Sequence, residues 1–187
     1  MHGDRVMQVL HPGEHCGVAA DAAVTAVPGA VLSVLTADCA PVLMWSTDPG
    51  HPVVGAAHAG WRGLYDGVLE RTVDAMRVLG ADQIEWRLGP CISAVAYEFG
   101  HADLTTMALR FGPDVVAATA DGAPALDLSA AVWSAMRATG TDQPDRRLPP
   151  CTATDAGATG SPTYFSWRAR RDSGRQAGLI WIEPGDG

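Results

Sequence analysis

Apolar and polar positions along the chain separate six strand-like runs from three helix-like stretches. Strands are predicted wherever apolar residues alternate with polar ones or follow one another continuously. The six runs are "DRVMQVL" (4–10), "DAAVTAVPG" (21–29), "AVLSVLTADC" (30–39), "VVGAAHA" (53–59), "QIEWRLGP" (83–90) and "QAGLIWI" (176–182). The third and fourth runs are almost wholly apolar, which predicts strands that are buried on both faces.

After residue 60 the apolar positions change to a helical period. The residues that fall on one face of this predicted helix are Leu64, Val68, Thr72, Met76 and Leu79, and Gly80 ends it. Helices are also predicted over residues 101–111 and 126–139, and a polar surface loop is predicted over residues 141–163. This mixture predicts an α+β fold, a layered sandwich of mixed sheets with flanking helices, in one domain spanning residues 1–187.

The charge and cysteine content narrow the possible partners and the cellular compartment. The chain has 13 basic and 21 acidic residues and a net charge of −8 at pH 7. Nucleic acids and anionic membranes both favour a basic surface, so neither is expected as a partner. No apolar run reaches the ~18 residues of a membrane span, and the N-terminus does not resemble a secretion signal. Four widely spaced cysteines then predict free thiols in a cytoplasmic protein.

Two reactive side chains follow neighbouring apolar runs. Cys39 ends one run and His58 lies close to the end of the next. Zinc binds thiolate and imidazole, and its catalytic sites use three protein ligands and one open position. We therefore expect a metal site of Cys39, His58 and His2, with His11 and His15 as competing ligands. A small core thiol and a loop histidine are the alternative interpretation.

Arginines are concentrated at two places in this acidic chain. One is the start of the helix predicted after residue 60, where the N-terminal end attracts anions. The other is "SWRARRDSGR", residues 166–175. The candidates for binding an anionic group are Arg62, Arg168, Arg171 and Arg175. Solvated arginines that pair with nearby acids are the alternative at both places.

A set of motifs, in order along nearly the whole chain, carries a resemblance to one family. The motifs are "HGDRV" (2–6), "ADAAVTAVPG" (20–29), "LTADCAPVLM" (35–44), "VVGAAHAGWRGLYDGVLERTVDAM" (53–76), "LGPCISAVAYEFG" (88–100) and "YFSWRARRDSGRQAGLIWI" (164–182). The chain resembles the YfiH-like laccase-domain family, whose members are also described as multicopper polyphenol oxidase-like proteins and peptidoglycan editing factors.

The resemblance implies a layered αββα sandwich like that of cytotoxic necrotizing factor catalytic domains. It implies a metal held by two histidines and one cysteine, which by motif are His2, His58 and Cys39. Zinc is the expected metal, and copper is possible because it outcompetes zinc for such ligands. Family members usually carry several dozen more residues ahead of "HG", so the chain is expected to be N-terminally short. The N-terminal Met1 is then either an internal methionine or the start of a true short form.

The resemblance also implies an enzyme that acts on purine nucleosides. The expected reactions are phosphorolysis of adenosine, inosine, guanosine and methylthioadenosine with inorganic phosphate, and deamination of adenosine. The expected catalytic residues are Asp38, Cys39, His58 and Arg62. For Asp38 three roles are open: a general base, a residue that orients a ligand, or a turn carboxylate that caps a backbone N–H.

Three alternatives to this function are considered. The first is an amidase that edits a UDP-muramoyl-serine type precursor of peptidoglycan, and the second is a copper-loaded polyphenol oxidase. The third is a truncated, non-catalytic metal-binding protein. The oligomeric state is open.

Overall fold

The computed structural model describes residues 3–141 and 147–185. The β-strands are β1 (Val6–Gln8), β2 (Ala22–Thr25), β3 (Leu32–Thr36), β4 (Ala40–Ser46), β5 (Val54–Ala59), β6 (Ile84–Leu88), β7 (Val116–Ala118), β8 (Pro124–Leu126) and β9 (Gln176–Ile180). The α-helices are α1 (Trp61–Asp66), α2 (Val68–Val78), α3 (His101–Phe111), α4 (Leu128–Ala138) and α5 (Trp167–Arg170). The six strands and the helices predicted at 101–111 and 126–139 are present. Three strands were not predicted, namely β4, which follows Cys39, and the short pair β7 and β8.

A five-stranded sheet in the order β1-β2-β5-β4-β6 forms the centre of the structure. Only β1 and β2 run parallel, and the other neighbours are antiparallel. The residues of β4 and β5 that face the helices are buried, among them Val42, Met44, Ala57 and Ala59. This face and the helices enclose the main apolar core.

The helix predicted after residue 60 is divided in two. Gly67 has a left-handed backbone (φ 92°), so it ends α1 and precedes α2. The predicted apolar face is nevertheless correct, because Leu64, Val68, Thr72 and Met76 are all buried against the sheet. Burying a side chain of this size contributes about 1.5–3 kcal/mol.

A second, two-stranded sheet of β3 and β9 covers the opposite face of the large sheet. Leu32 and Val34 point inward and are buried, whereas Ser33 and Leu35 are exposed. The expectation that this run is buried on both faces is therefore wrong, because its outer face has no covering layer among the described residues. The layered arrangement of mixed sheets and flanking helices confirms the predicted fold class.

The segment predicted as a surface loop is partly buried. Residues 142–146 lie outside the described residues, and residues 147–163 form no named helix or strand. Thr152 has no exposed surface, and Cys91 and Cys151 form a parallel β-bridge. This bridge ties the segment to the chain that follows β6. Among residues 3–141 and 147–185, no helix is both long enough and apolar enough to span a membrane.

Candidate functional site

Two antiparallel strands bring Cys39 and His58 to the same end of the large sheet. Ala40 at the start of β4 pairs with Ala59 of β5, and Pro41 pairs with His58. Cys39 lies in the three-residue connection from β3 to β4, rather than at the end of the buried strand that was expected. Burial, together with the neighbouring Asp38 carboxylate, raises the pKa of the Cys39 thiol to about 11.

Cys39 and His58 line a cavity of about 400 Å³ at this end of the sheet. Three of the four arginines predicted from the sequence, Arg62, Arg168 and Arg175, line it as well. The volume lies within the ~300–1,000 Å³ of typical small-molecule sites. The structure thus gathers reactive and basic side chains from opposite parts of the chain around one space.

Two of these guanidinium groups are held against aromatic rings. The Cζ atom of Arg62 lies 4.4 Å from the centre of the Trp61 ring, and that of Arg168 lies 5.1 Å from the centre of the Tyr97 ring. Within the described part of the chain, neither guanidinium forms an ion pair. Stacking of this kind orients the group while leaving its N–H edge available to an anion.

The arginines of residues 166–175 have different roles. Arg175 lines the cavity, and its Nη1 donates to the carbonyl oxygens of Asp172, Ser173 and Gly174. Arg171 does not line the cavity and lies over the Trp167 ring at 5.2 Å. The structure therefore brings three of the four arginines predicted from the sequence to the cavity, and Arg171 is not among the residues that line it.

Asp38 connects the Cys39 turn to distant segments. Its Oδ1 accepts hydrogen bonds from the hydroxyls of Thr152 and Ser166, both at 2.7 Å. Its Oδ2 accepts from the backbone N–H of Arg168 at 2.6 Å. Of the three roles open for this residue, the cap of a backbone N–H is the one with a visible partner.

Several residues of the cavity wall were not singled out from the sequence. They are Leu35, Thr36, Ile92, Tyr97, Leu128 and Trp167. Tyr97 and Trp167 provide aromatic surface, and burial raises the pKa of the Tyr97 hydroxyl to about 12. Both belong to motifs quoted above, but nothing in their local pattern distinguishes a cavity residue from a core residue.

Comparison with known proteins assigns the chain to a family. A profile of the family described as multi-copper polyphenol oxidoreductase laccase matches residues 1–183. The chain belongs to this family. The family predicted from the motifs is therefore confirmed.

Relatives in this laccase family carry a common functional name. A Streptomyces coelicolor protein named purine nucleoside phosphorylase is 40% identical over 187 residues, which is 98% of this chain and 73% of the relative. A Mycobacterium tuberculosis protein with the same name is 38% identical, and the match covers 98% of this chain and 70% of the relative.

Solved structures of similar proteins support the fold. A Neisseria meningitidis protein is 29% identical with a TM-score of 0.75, and the match covers 98% of this chain and 73% of that one. The protein YlmD of Geobacillus stearothermophilus is 24% identical with a TM-score of 0.78, covering 98% of this chain and 72% of its own. The second comparison bears on the fold alone.

The family description implies a bound metal, and two of the three predicted ligands face the cavity. Within the described part of the chain, no group of three or more His, Cys, Asp and Glu side chains is arranged to hold a metal ion. The third predicted ligand, His2, lies outside the described residues. Its neighbour Gly3 donates to Asp21, whose carbonyl oxygen accepts from the His58 N–H at 2.7 Å. A thiol and an imidazole that line the same cavity fit a zinc or copper ion by their chemistry.

Proposed function

We propose that this chain catalyses the phosphorolysis of purine nucleosides. A nucleoside and inorganic phosphate would give a free purine and ribose 1-phosphate. The observation that carries the proposal is a single cavity that combines Cys39 and His58 with Arg62, Arg168 and Arg175 and with aromatic rings. The names of the Streptomyces and Mycobacterium relatives support the same substrates.

Arg62 and Arg168 are the proposed phosphate ligands. Guanidinium groups bind phosphate through two parallel N–H bonds, which fixes both its position and its orientation. Because both groups are already oriented by Trp61 and Tyr97, less side-chain freedom is lost on binding. Arg175 adds positive charge near Cys39, since it lowers the pKa of that thiol against the larger effect of burial.

The aromatic residues of the cavity are the proposed surface for the purine. Tyr97 lines the wall and Trp167 is 49% exposed at the opening. Every purine presents a flat face that stacks on such rings. In the reaction, a phosphate oxygen bonds to C1′ while the bond from C1′ to the purine nitrogen breaks. The electron pair stays on the purine, which takes up a proton from hydrogen phosphate or water.

Cys39, His58 and His2 are the residues proposed to hold a metal ion. Zinc bound there would supply a Lewis acid and a water of lowered pKa, and copper is the alternative ion. Deamination of adenosine, in which water replaces the 6-amino group and ammonia leaves, is proposed as a second reaction in the same cavity. Both reactions need only one nucleoside-binding site.

The experiment that tests this proposal measures the products formed from adenosine with and without inorganic phosphate. The metal content of the purified chain is determined at the same time. We expect adenine to appear only with phosphate, and inosine to appear regardless of phosphate. With a fully metal-loaded chain, absence of adenine in the presence of phosphate contradicts the proposed phosphorolysis, and absence of inosine without phosphate contradicts the proposed deamination.

The variant Arg62→Ala tests the phosphate site within the same assay. Loss of a hydrogen bond to a charged group costs about 1.5–3 kcal/mol, so the KM for phosphate should rise about ten- to hundredfold. The KM for the nucleoside should change little. The control is Arg137→Ala, which removes an exposed arginine at the far end of α4. An unchanged phosphate KM in Arg62→Ala removes this residue from the phosphate site.

A further inference from the structure

We infer that Asp38 is a positioning residue that fixes the Arg168 guanidinium relative to Cys39, rather than the general base of the reaction. The inference rests on the proposed function, because Arg168 is the proposed phosphate ligand. It is carried by hydrogen bonds, burial and backbone conformation, each of which can be stated separately.

The hydrogen bonds of Asp38 join segments that are far apart in sequence. Thr152 lies 114 residues away, Ser166 lies 128 residues away and Arg168 lies 130 residues away. The Asp38 carbonyl oxygen also accepts from the N–H of Ile92 at 2.8 Å. One residue therefore holds the Cys39 turn, the segment after β6, the 147–163 segment and α5 together.

Burial makes these hydrogen bonds strong and costly to lose. Asp38 is 8% exposed, and Thr152 and Ser166 have no exposed surface. Hydrogen bonds to a charged acceptor are about twice as strong as neutral ones, and a buried carboxylate without donors is strongly unfavourable. Three donors satisfy this carboxylate, so its bonds keep α5 in place.

The backbone of Asp38 gives an independent indication. Its φ is 88°, in the left-handed region that non-glycine residues rarely adopt. Such a conformation costs about 1–3 kcal/mol and persists only where the surroundings determine it. In this conformation the carboxylate accepts from Ser166 and Arg168 at the start of α5 and from Thr152.

Asp38 itself lines the cavity, and its link to Arg168 runs through a single backbone group. The Arg168 N–H donates to Asp38, and the Arg168 side chain stacks on Tyr97 beside the cavity. A general base has to accept a proton from the substrate or from water, whereas both oxygens of Asp38 already accept protein donors. The hydrogen bonds therefore favour an effect through Arg168.

The main experiment is a double-mutant cycle on the metal-loaded chain, measured as the KM for phosphate and the kcat for adenosine phosphorolysis. Asp38→Asn alone should raise the phosphate KM about tenfold while the nucleoside KM stays within about twofold. In the Arg168→Ala background the same substitution should have no further effect on the phosphate KM. A fall in kcat from Asp38→Asn that persists in Arg168→Ala overturns the inference and restores the general base.

The Thr152 hydroxyl is another donor to the Asp38 carboxylate, and two variants of Thr152 test the role of Asp38 from this side. Thr152→Ser keeps the hydroxyl and should leave the phosphate KM near that of the wild type. Thr152→Val keeps the shape, removes the donor, and should raise the phosphate KM about threefold to tenfold. Equal phosphate KM values for the two variants contradict the inference.

A second measurement does not depend on enzymatic activity. Hydrogen exchange of the Arg168 amide should be slow in the wild type and at least about tenfold faster in Thr152→Val and Asp38→Asn. Asp121→Asn, in an exposed turn, is the control and should not change it. Unchanged exchange of this amide overturns the inference whether or not the chain cleaves nucleosides. Faster exchange without any nucleoside turnover would reject the proposed function alone.

Discussion

The cavity has two walls that are built in different ways. The first, the sheet wall, contains His58 of β5 and Cys39, which directly precedes β4, and these strands pack on a continuous apolar core. The second, the arginine wall, contains Arg168 and Arg175 and comes from residues 166–175, in which the four-residue α5 is the only described helix. Polar contacts hold this second wall, chiefly those of Asp38 and of Arg170, which donates to three carbonyl oxygens and pairs with Asp172.

This difference separates the two tasks of the site. The apolar core makes the position of the sheet wall insensitive to any single surface contact, because many buried side chains share the stabilisation. The arginine wall depends on a few hydrogen bonds, each of which is a large part of its local stability. We expect substitutions in the first wall to change chemistry or global stability, and substitutions in the second to change anion binding.

The largest expected effect comes from removing the predicted metal ligands of the sheet wall. Cys39→Ala and His58→Ala should each abolish metal binding and lower kcat/KM by more than about 100-fold, since even the partners of metal ligands are worth 10–100-fold. Metal content per chain and kcat/KM are the measurements. The controls are Cys16→Ala and His51→Ala, which alter an exposed thiol and an exposed imidazole. Full metal content in either ligand variant would show that the ligand assignment is wrong.

The next effect concerns the core behind the sheet wall. Leu69 has no exposed surface, so Leu69→Ala should lower the free energy of unfolding by about 2–5 kcal/mol. Leu109 is 85% exposed on α3, and Leu109→Ala should cost less than about 0.5 kcal/mol. Urea unfolding checks both variants. If Leu69→Ala also raised the phosphate KM at a temperature where it remains folded, the two walls would not be independent.

The sheet wall is also the part of the site that the sequence predicts well. Apolar periodicity identified β5 and α3, and it placed Cys39 and His58 close to strand ends. Two predictions failed for local reasons. The helix after residue 60 is divided by Gly67, and β3 is exposed on one face because its buried and exposed residues alternate. These signals lie within a few residues of the feature they predict, so a sequence pattern can carry them.

The arginine wall could be predicted only as a cluster of charges. Residues 166–175 suggested anion binding, but the pattern did not distinguish Arg168 and Arg175, which line the cavity, from Arg171, which does not. The Arg168 N–H is bonded to Asp38, which lies 130 residues away. Contacts at such separation leave no periodic trace in a single sequence, and this is why the role of Asp38 stayed open.

A smaller effect is expected from adding a methyl group at Gly174, which directly precedes Arg175 in the arginine wall. A Cβ atom on Gly174 would lie 2.6 Å from two atoms of the Phe165 ring, so one of the two must move. Because Phe165 is 46% exposed, the ring can swing outward, and we expect Gly174→Ala to cost about 1–3 kcal/mol. Displacement of Arg175 should raise the phosphate KM a few-fold. The measurements are urea unfolding and the KM for phosphate.

The control for this change is Gly157→Ala in the neighbouring segment, where a Cβ would meet only the Ser161 carbonyl oxygen at 3.9 Å. It should be close to neutral in both measurements. A Gly174→Ala chain with wild-type stability and wild-type phosphate KM would mean that the loop before Arg175 adjusts freely, against the view that a few contacts fix this wall.

The smallest expected effect concerns Cys151, which forms a β-bridge with Cys91 at the junction between the two walls. Burial raises the pKa of the Cys151 thiol, but hydrogen bonds from Ser93, Thr154 and the Ala153 N–H outweigh it and leave the pKa lowered. Alkylation of Cys151 by iodoacetamide should therefore rise with pH through a midpoint below that of an ordinary cysteine. Thr154→Val removes one donor to the thiolate and should move the midpoint upward, as followed by peptide mass spectrometry. Since Cys151 forms a β-bridge with Cys91 and precedes Thr152, a midpoint equal to that of an ordinary thiol would indicate that the junction is open in solution and that the Asp38 contacts are loose.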